Sequence, residues 1–198
     1  FDNSSSFINP KKGIYFMALG GIGEIGANCY LYCCDGKWIM IDLGISFADE
    51  KYPGIDLLVP KIDFVDQIKD NLEAVIISHG HEDHAGALAY FIEKIKCPIY
   101  ATGFANSLLK RKLKEFGKSD FNDITIINPI KNIKLNNFIL NFISTTHSIP
   151  ECHSIVITTK YGKLLHTADW KIDPNPLVGD NFDIKSLEKL SNDGLLAL

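Results

Sequence analysis

This sequence predicts a layered α/β domain with mixed sheets, and three observations predict it. Short apolar runs of strand length alternate with segments of helical period along the whole chain. Hairpin signals at Asp35-Gly36 and Tyr161-Gly162 join neighbouring strands, which argues against a purely parallel sheet. One buried-type run, residues 74–77, ends abruptly in His79, His81, Glu82, Asp83 and His84, after which Leu88, Phe91, Ile92 and Ile95 recur on one helical face. The histidines therefore lie on a tight turn between a strand and a helix.

Composition narrows the class. The chain has 198 residues, 46% of them hydrophobic, which suits one domain with a substantial core or part of a larger one. No run of about 18 apolar residues is present, so no membrane-spanning helix is expected. No cationic, apolar leader opens the chain, and a cytoplasmic location is expected. The cysteines Cys29, Cys33, Cys34, Cys97 and Cys152 are odd in number, fit no zinc-knuckle spacing and read as reduced thiols. A net charge of −4 does not describe a protein held to nucleic acid by bulk electrostatics, although it leaves room for a nuclease with a local patch. The best such patch is Lys110, Arg111, Lys112 and Lys114 with Lys118, and it reads as a solvated helix face.

Residues 1–12 carry Ser, Asn, Pro10 and two lysines and read as a flexible arm ahead of a domain at 13–198. Residues 14–19 form a strand. Gly20, Gly21, Gly23 and Gly26 then allow a sharp turn and close backbone approach. The spacing Gly21-x-Gly23-x-x-Gly26 matches a dinucleotide loop, but a strand at 29–34 follows where the pyrophosphate-binding helix should be. Strands 29–34 and 37–41 pair through Asp35-Gly36. Asp42, at a strand end before Gly44, is either a loop cap or a carboxylate standing behind a metal-bound imidazole. Residues 44–60 read as loop and 63–71 as a short helix. Asp83 suits a helix N-terminus. A strand at 99–101, a helix at 104–116 stopped by Gly117, and strands at 124–127, 138–143, 154–159 and 163–167 follow. A helix at 184–190 and the start of a strand at 194–198, with an unpaired edge, close the chain.

Three of the six histidines fall within six residues of one another in the 79–84 turn. Imidazole and carboxylate are metal ligands. His79 and His81, with the Asp83-His84 pair just beyond, cannot all converge on one ion, but they can serve two adjacent ions. His147 and Asp169 stand just past strands, where sheets present catalytic side chains. His166, inside a strand, reads as a hydrogen-bonded core residue, His153 as a solvated edge residue, and Cys152 as no ligand.

The motif His79-x-His81-x-Asp83-His84 resembles the signature of metallo-β-lactamase-fold hydrolases. Together with the glycine-rich stretch 18–26 and Thr146-His147-Ser148-Ile149-Pro150, it resembles the ribonuclease J group of β-CASP nucleases. The resemblance implies an αβ/βα sandwich with mixed sheets, truncated, of which 13–198 is the amino-terminal part, the β-CASP domain lying outside this chain. It implies His79, His81 and His147 on a first zinc, Asp83 and His84 on a second, and Asp169 bridging both. Asp42 becomes the family's first motif, behind the ligands. Asp83 and Asp169 are the implied catalytic carboxylates. Two Zn2+ ions per complete site are implied, with Mn2+ as the alternative. The implied substrate is RNA, cut endonucleolytically and from the 5′ end in processing and decay by a full-length homo-oligomer. A distal zinc ligand and the general acid are expected past residue 198, so weak metal occupancy is expected in this chain. Glu151-Cys152 stands where the family has Asp and a small residue, and Trp170 where Phe is usual. A thioesterase or glyoxalase II-like hydrolase and an inactive RNA-binding partner are the rival readings.

Overall fold

The computed structural model describes residues 7–198. Strands β1 (Ile14–Gly20), β2 (Cys29–Cys34) and β3 (Lys37–Ile41) form an antiparallel meander. The β2–β3 turn has Asp35 at φ 49° and Gly36 at φ 80°, the left-handed pair that a two-residue hairpin requires. Then β6 (Leu72–Ile77), β7 (Ile99–Ala101) and β8 (Ile124–Ile126) add in parallel, giving a six-stranded mixed sheet. A second, antiparallel sheet has the order β12 (Gly162–His166), β11 (Cys152–Thr159), β10 (Ile139–Thr145), β9 (Ile133–Lys134). A small ribbon, β4 (Ser46–Phe47) with β5 (Leu57–Leu58), lies in the segment read as loop. Two-residue strands carry no sequence period, which is why β4, β5 and β9 escape a pattern reading.

Strand alternation builds the layers. Leu31, Trp38, Met40, Val75 and Ile77 point one way, onto α1 (Asp63–Ile68), α3 (Leu88–Phe91) and α4 (Gly103–Glu115), meeting Val65, Ile68, Leu88, Leu109 and Leu113. Tyr32, Ile39, Ile41 and Ile76 point the other way, onto Leu140, Phe142, Ile155 and Ile157 of the second sheet and Phe138 just before β10. The outer face of that sheet, Ile143, Val156 and Leu165, is covered by Leu187 and Leu190 of α5 (Ile184–Asp193). The result is the expected αβ/βα sandwich, its first sheet mixed and its second antiparallel.

Differences from the sequence reading have local causes. The helix expected after the histidines is broken into α2 (Glu82–Ala85) and α3, with Gly86 and Ala87 between them, although Leu88, Ile92 and Ile95 are buried on one face as read. Of the segment read as a flexible arm, residues 1–6 lie outside the described residues. Phe7 packs edge-on to Phe64 (4.8 Å), and Asn9 Oδ1 accepts from Trp38 Nε1 (2.8 Å). The outer edge of β12 takes a parallel bridge from Ala197, with Leu165 N donating to Ala197 O (3.1 Å). No helix among the described residues is long and apolar enough to cross a membrane.

Candidate metal centre

Each element reaches the centre at a strand end: Asp42 after β3, Ser78 and the histidine turn after β6, His147 after β10, and Asp169 after β12. Non-glycine residues with left-handed backbone gather here, namely Ala27 (φ 51°), Asp42 (63°), Glu151 (59°) and Ala168 (50°). Each costs on the order of 1–3 kcal/mol and persists only where surrounding structure enforces it. Main-chain bonds enforce it at the turn: Leu43 N to His84 O (2.8 Å), Ile45 N to Glu82 O (3.0 Å) and Asn28 N to Asp83 O (3.0 Å). The approach is so close that a Cβ on Gly44 would stand 1.6 Å from Asp83 O.

Asp42 is fully buried behind the turn. It accepts hydrogen bonds from Ser78 N (2.7 Å), Ser78 Oγ (2.8 Å) and His84 Nδ1 (2.7 Å). The Ser78 hydroxyl gives its proton to Asp42, so its oxygen accepts from His79 Nδ1 (3.0 Å). These partners put a proton on Nδ1 of both rings, so that Nε2 faces forward on His79 and, whenever the ring is neutral, is the free nitrogen on His84 as well.

In front of the turn the donor atoms converge in two groups that share His79. In the first, His79 Nε2 lies 3.0 Å and His147 Nε2 3.2 Å from His81 Nδ1. The second joins His79 to His84 and Asp169. One Asp169 oxygen is 3.4 Å from His84 Nε2, and the other is 3.6 Å from His147 Nε2, so the carboxylate spans both groups. Asp83 stands at the margin, its Oδ2 3.5 Å from His84 Nε2. The six residues proposed as ligands thus meet at one centre, with Asp83 outside both close groups.

The electrostatics favour a cation. Burial holds His79 near pKa 3, with the neighbouring His84 adding to the effect. Burial would also lower His84, but the Asp42 charge, reinforced by Asp169 and Asp83, outweighs it and raises the pKa to about 10. Asp169 is pulled down to about 2, chiefly by its hydrogen bond to His84. Burial and His81 lower His147. Lone pairs turned toward one another repel unless a proton or cation lies between them. A tetrahedral ion with nitrogen contacts of ~2.0–2.1 Å sets its ligand nitrogens ~3.4 Å apart, close to the spacing found here. The donor chemistry is therefore compatible with a divalent metal.

Sequence reasoning missed three residues. Asn28 Nδ2 lies 3.0 Å from Asp83 O and 3.1 Å from His84 Nε2. Ser78 relays Asp42 to His79, and Ser148 Oγ lies 3.4 Å from His81 Nε2. None sits in a metal-ligand spacing. His153 is a correction: it is buried rather than a solvated edge residue, because β11 begins at Cys152 and turns the ring inward, where Nδ1 bonds Glu151 O (3.0 Å). His166 is buried against Tyr32 Oη (3.0 Å), as read. The basic patch is largely neutralised, with Lys112 on Glu82, Arg111 on Glu115 and Lys118 on Glu93.

A family model, "Metallo-beta-lactamase superfamily", matches residues 22–186, which contain every residue of this centre. The chain belongs to the metallo-beta-lactamase superfamily. Within it the chain is similar to ribonuclease J of Sinorhizobium meliloti, 39% identical over 93% of this chain and 34% of that protein. Ribonuclease J 1 of Streptococcus pyogenes is 38% identical over 92% of this chain and 32% of its own length. Ribonuclease J2 of Bacillus subtilis is 32% identical over 94% and 34%. The chain therefore spans about a third of the length of the curated relatives it matches. The metallo-beta-lactamase fold protein YhfI of Bacillus subtilis superposes with a TM-score of 0.54 at 19% identity, covering 80% of this chain and 63% of that one. A protein of unknown function from Enterococcus faecalis gives 0.60 at 19%, covering 79% and 43%. At this identity the superposition speaks for the fold alone.

Proposed function

We propose that the full-length protein is a ribonuclease J-like, metal-dependent hydrolase of RNA phosphodiester bonds. In this reading residues 13–198 supply the amino-terminal part of the metal-binding domain, and a β-CASP domain lies elsewhere in the protein. The observation that carries it is the pair of donor groups sharing His79 and spanned by Asp169, in a chain whose relatives named above are ribonucleases J. His79, His81 and His147 would hold one ion, and Asp83 and His84 a second, with Asp169 serving both. Zinc suits this mixture of imidazole and carboxylate, and manganese is the alternative. Divalent ions supply Lewis acidity toward water and phosphoryl oxygens.

The chain's own groups do the rest. Asp42, through His84 Nδ1 and Ser78, fixes which ring nitrogens face the substrate. Asp169 has one open flank and is held ionised near pKa 2, so it orients a water by accepting its hydrogen bond and is a poor proton abstractor. Asp83, 36% exposed and 3.5 Å from the same His84 Nε2, is the second carboxylate that orients water. RNA processing and decay in the cytoplasm, by endonucleolytic and 5′-to-3′ exonucleolytic cleavage in a homo-oligomer, completes the reading. The test is incubation of the full-length protein with labelled RNA in zinc or manganese, beside a glutathione thioester. RNA left intact overturns the reading, and thioester turnover in its place moves the chain to the small-molecule branch.

A further inference from the structure

Among the described residues, no hydrogen bond joins the glycine-rich loop directly to the donor groups. Its link to them runs through two side chains. Tyr30 Oη lies 2.8 Å from Asn28 Oδ1 and 3.2 Å from Gly21 O. A phenol carries one proton, and the shorter contact directs it to the amide oxygen, which fixes the amide with its NH2 turned toward the histidine turn. That NH2 reaches Asp83 twice, at the main-chain oxygen (3.0 Å) and at Oδ2 (3.3 Å). It also lies 3.1 Å from His84 Nε2, a contact that is a hydrogen bond only while that nitrogen is unprotonated. Among the described residues, Asn28 is the side chain that donates a hydrogen bond to the Asp83 carboxylate.

The start of the chain of contacts depends on a missing side chain. Gly21 has φ 81°, and a Cβ there would stand 2.4 Å from Tyr30 Oη and 2.5 Å from Asn28 Oδ1. Glycine at this position is therefore what lets the tyrosine and the amide close on each other.

We propose that Asn28 is a positioning residue for Asp83, held in register by Tyr30 and Gly21, and that the glycine-rich loop serves the second ion through this relay. The inference rests on the two-ion reading above. A group that orients a ligand typically changes metal affinity 10–100-fold when removed. The experiment is competition of zinc between the full-length protein and a chelator, resolving the two affinities. Asn28→Ala should weaken the second ion ~10-fold and leave the first unchanged. Tyr30→Phe, which keeps the ring packing, should weaken the same ion by a smaller factor, and Gly21→Ala should do the same through its clash. If Asn28→Ala unfolds, Tyr30→Phe carries the test alone. Wild type with two ions and variants that match it, or bind the second ion more tightly, would overturn the role of Asn28. A tighter site would mean that the amide competes for His84 Nε2. Wild type with one ion overturns the two-ion reading itself, and this inference with it.

Discussion

His84 and Asp169 face each other across the centre at 3.4 Å, yet their surroundings are opposite. The His84 side chain is 2% exposed, backed by the wholly buried Asp42 and stitched to the first sheet by main-chain bonds on both sides. The Asp169 side chain is 46% exposed, follows the strained Ala168 and belongs to the second sheet. One half of the centre is therefore part of the core, and its geometry is fixed by folding. The other half is open to solvent and is positioned by how the sheets pack. Ligand geometry in the first half is coupled to stability, while in the second the two are separable.

The largest effect should come from the buried half. Asp42→Ala leaves the Ser78 N–H, the Ser78 hydroxyl and His84 Nδ1–H without their acceptor in a dry interior. Breaking a buried charge pair by removing one partner costs roughly 3–5 kcal/mol. Urea unfolding of metal-free protein should show the loss. A cost under about 1 kcal/mol would mean that Asp42 orients the imidazoles without holding the fold.

A second contrast separates two buried histidines. His84 has carboxylates beside it, whereas His166 has Tyr32 Oη on Nδ1 and no partner for Nε2 among the described residues. Burial accordingly depresses the His166 pKa to about 4, against ~6.5 in an unfolded chain. Between those values the unfolded state binds a proton that the folded state refuses, so stability rises with pH there. His166 therefore contributes fully above about pH 6.5, and its contribution is lost as pH falls toward 4. His166→Gln should flatten stability across that window. A variant as steep as the wild type would place the acid sensitivity on other groups.

What the sequence makes legible follows the same division. His79, His81, Asp83 and His84 stand out because a single turn delivers them, and local spacing is visible in sequence. His147 and Asp169 are ordinary strand-end residues until the pairing of β10, β11 and β12 in the second sheet brings them within 3.6 Å of each other, and the family resemblance singled them out where periodicity could not. Asn28 and Ser78 carry no signal, because their importance lies in hydrogen bonds to residues on other elements or to a neighbouring ring. Layering was legible from the order of strand-length apolar runs and helical segments, whereas the αβ/βα arrangement came from the family resemblance. The break between α2 and α3 was not legible, because Leu88, Ile92 and Ile95 keep a helical face through a segment that is only partly helical.

The smallest stability effect should come from the open half, and it is the sharpest test of the contrast. Asp169→Ala removes a half-exposed carboxylate whose contacts, at 3.4 Å to His84 and 3.6 Å to His147, are long for ion pairs. Solvent screens such pairs, and their loss costs about 0–1 kcal/mol. His84 keeps Asp42, so no buried charge is stranded. Metal uptake should behave differently, because one carboxylate faces both donor groups and its removal takes a ligand from each. The expected result is near-wild-type urea unfolding without metal, together with weakened binding of both ions by competition with a chelator. Equal stability losses for Asp169→Ala and Asp42→Ala would refute the division, since both halves of the centre would then be parts of the folding core.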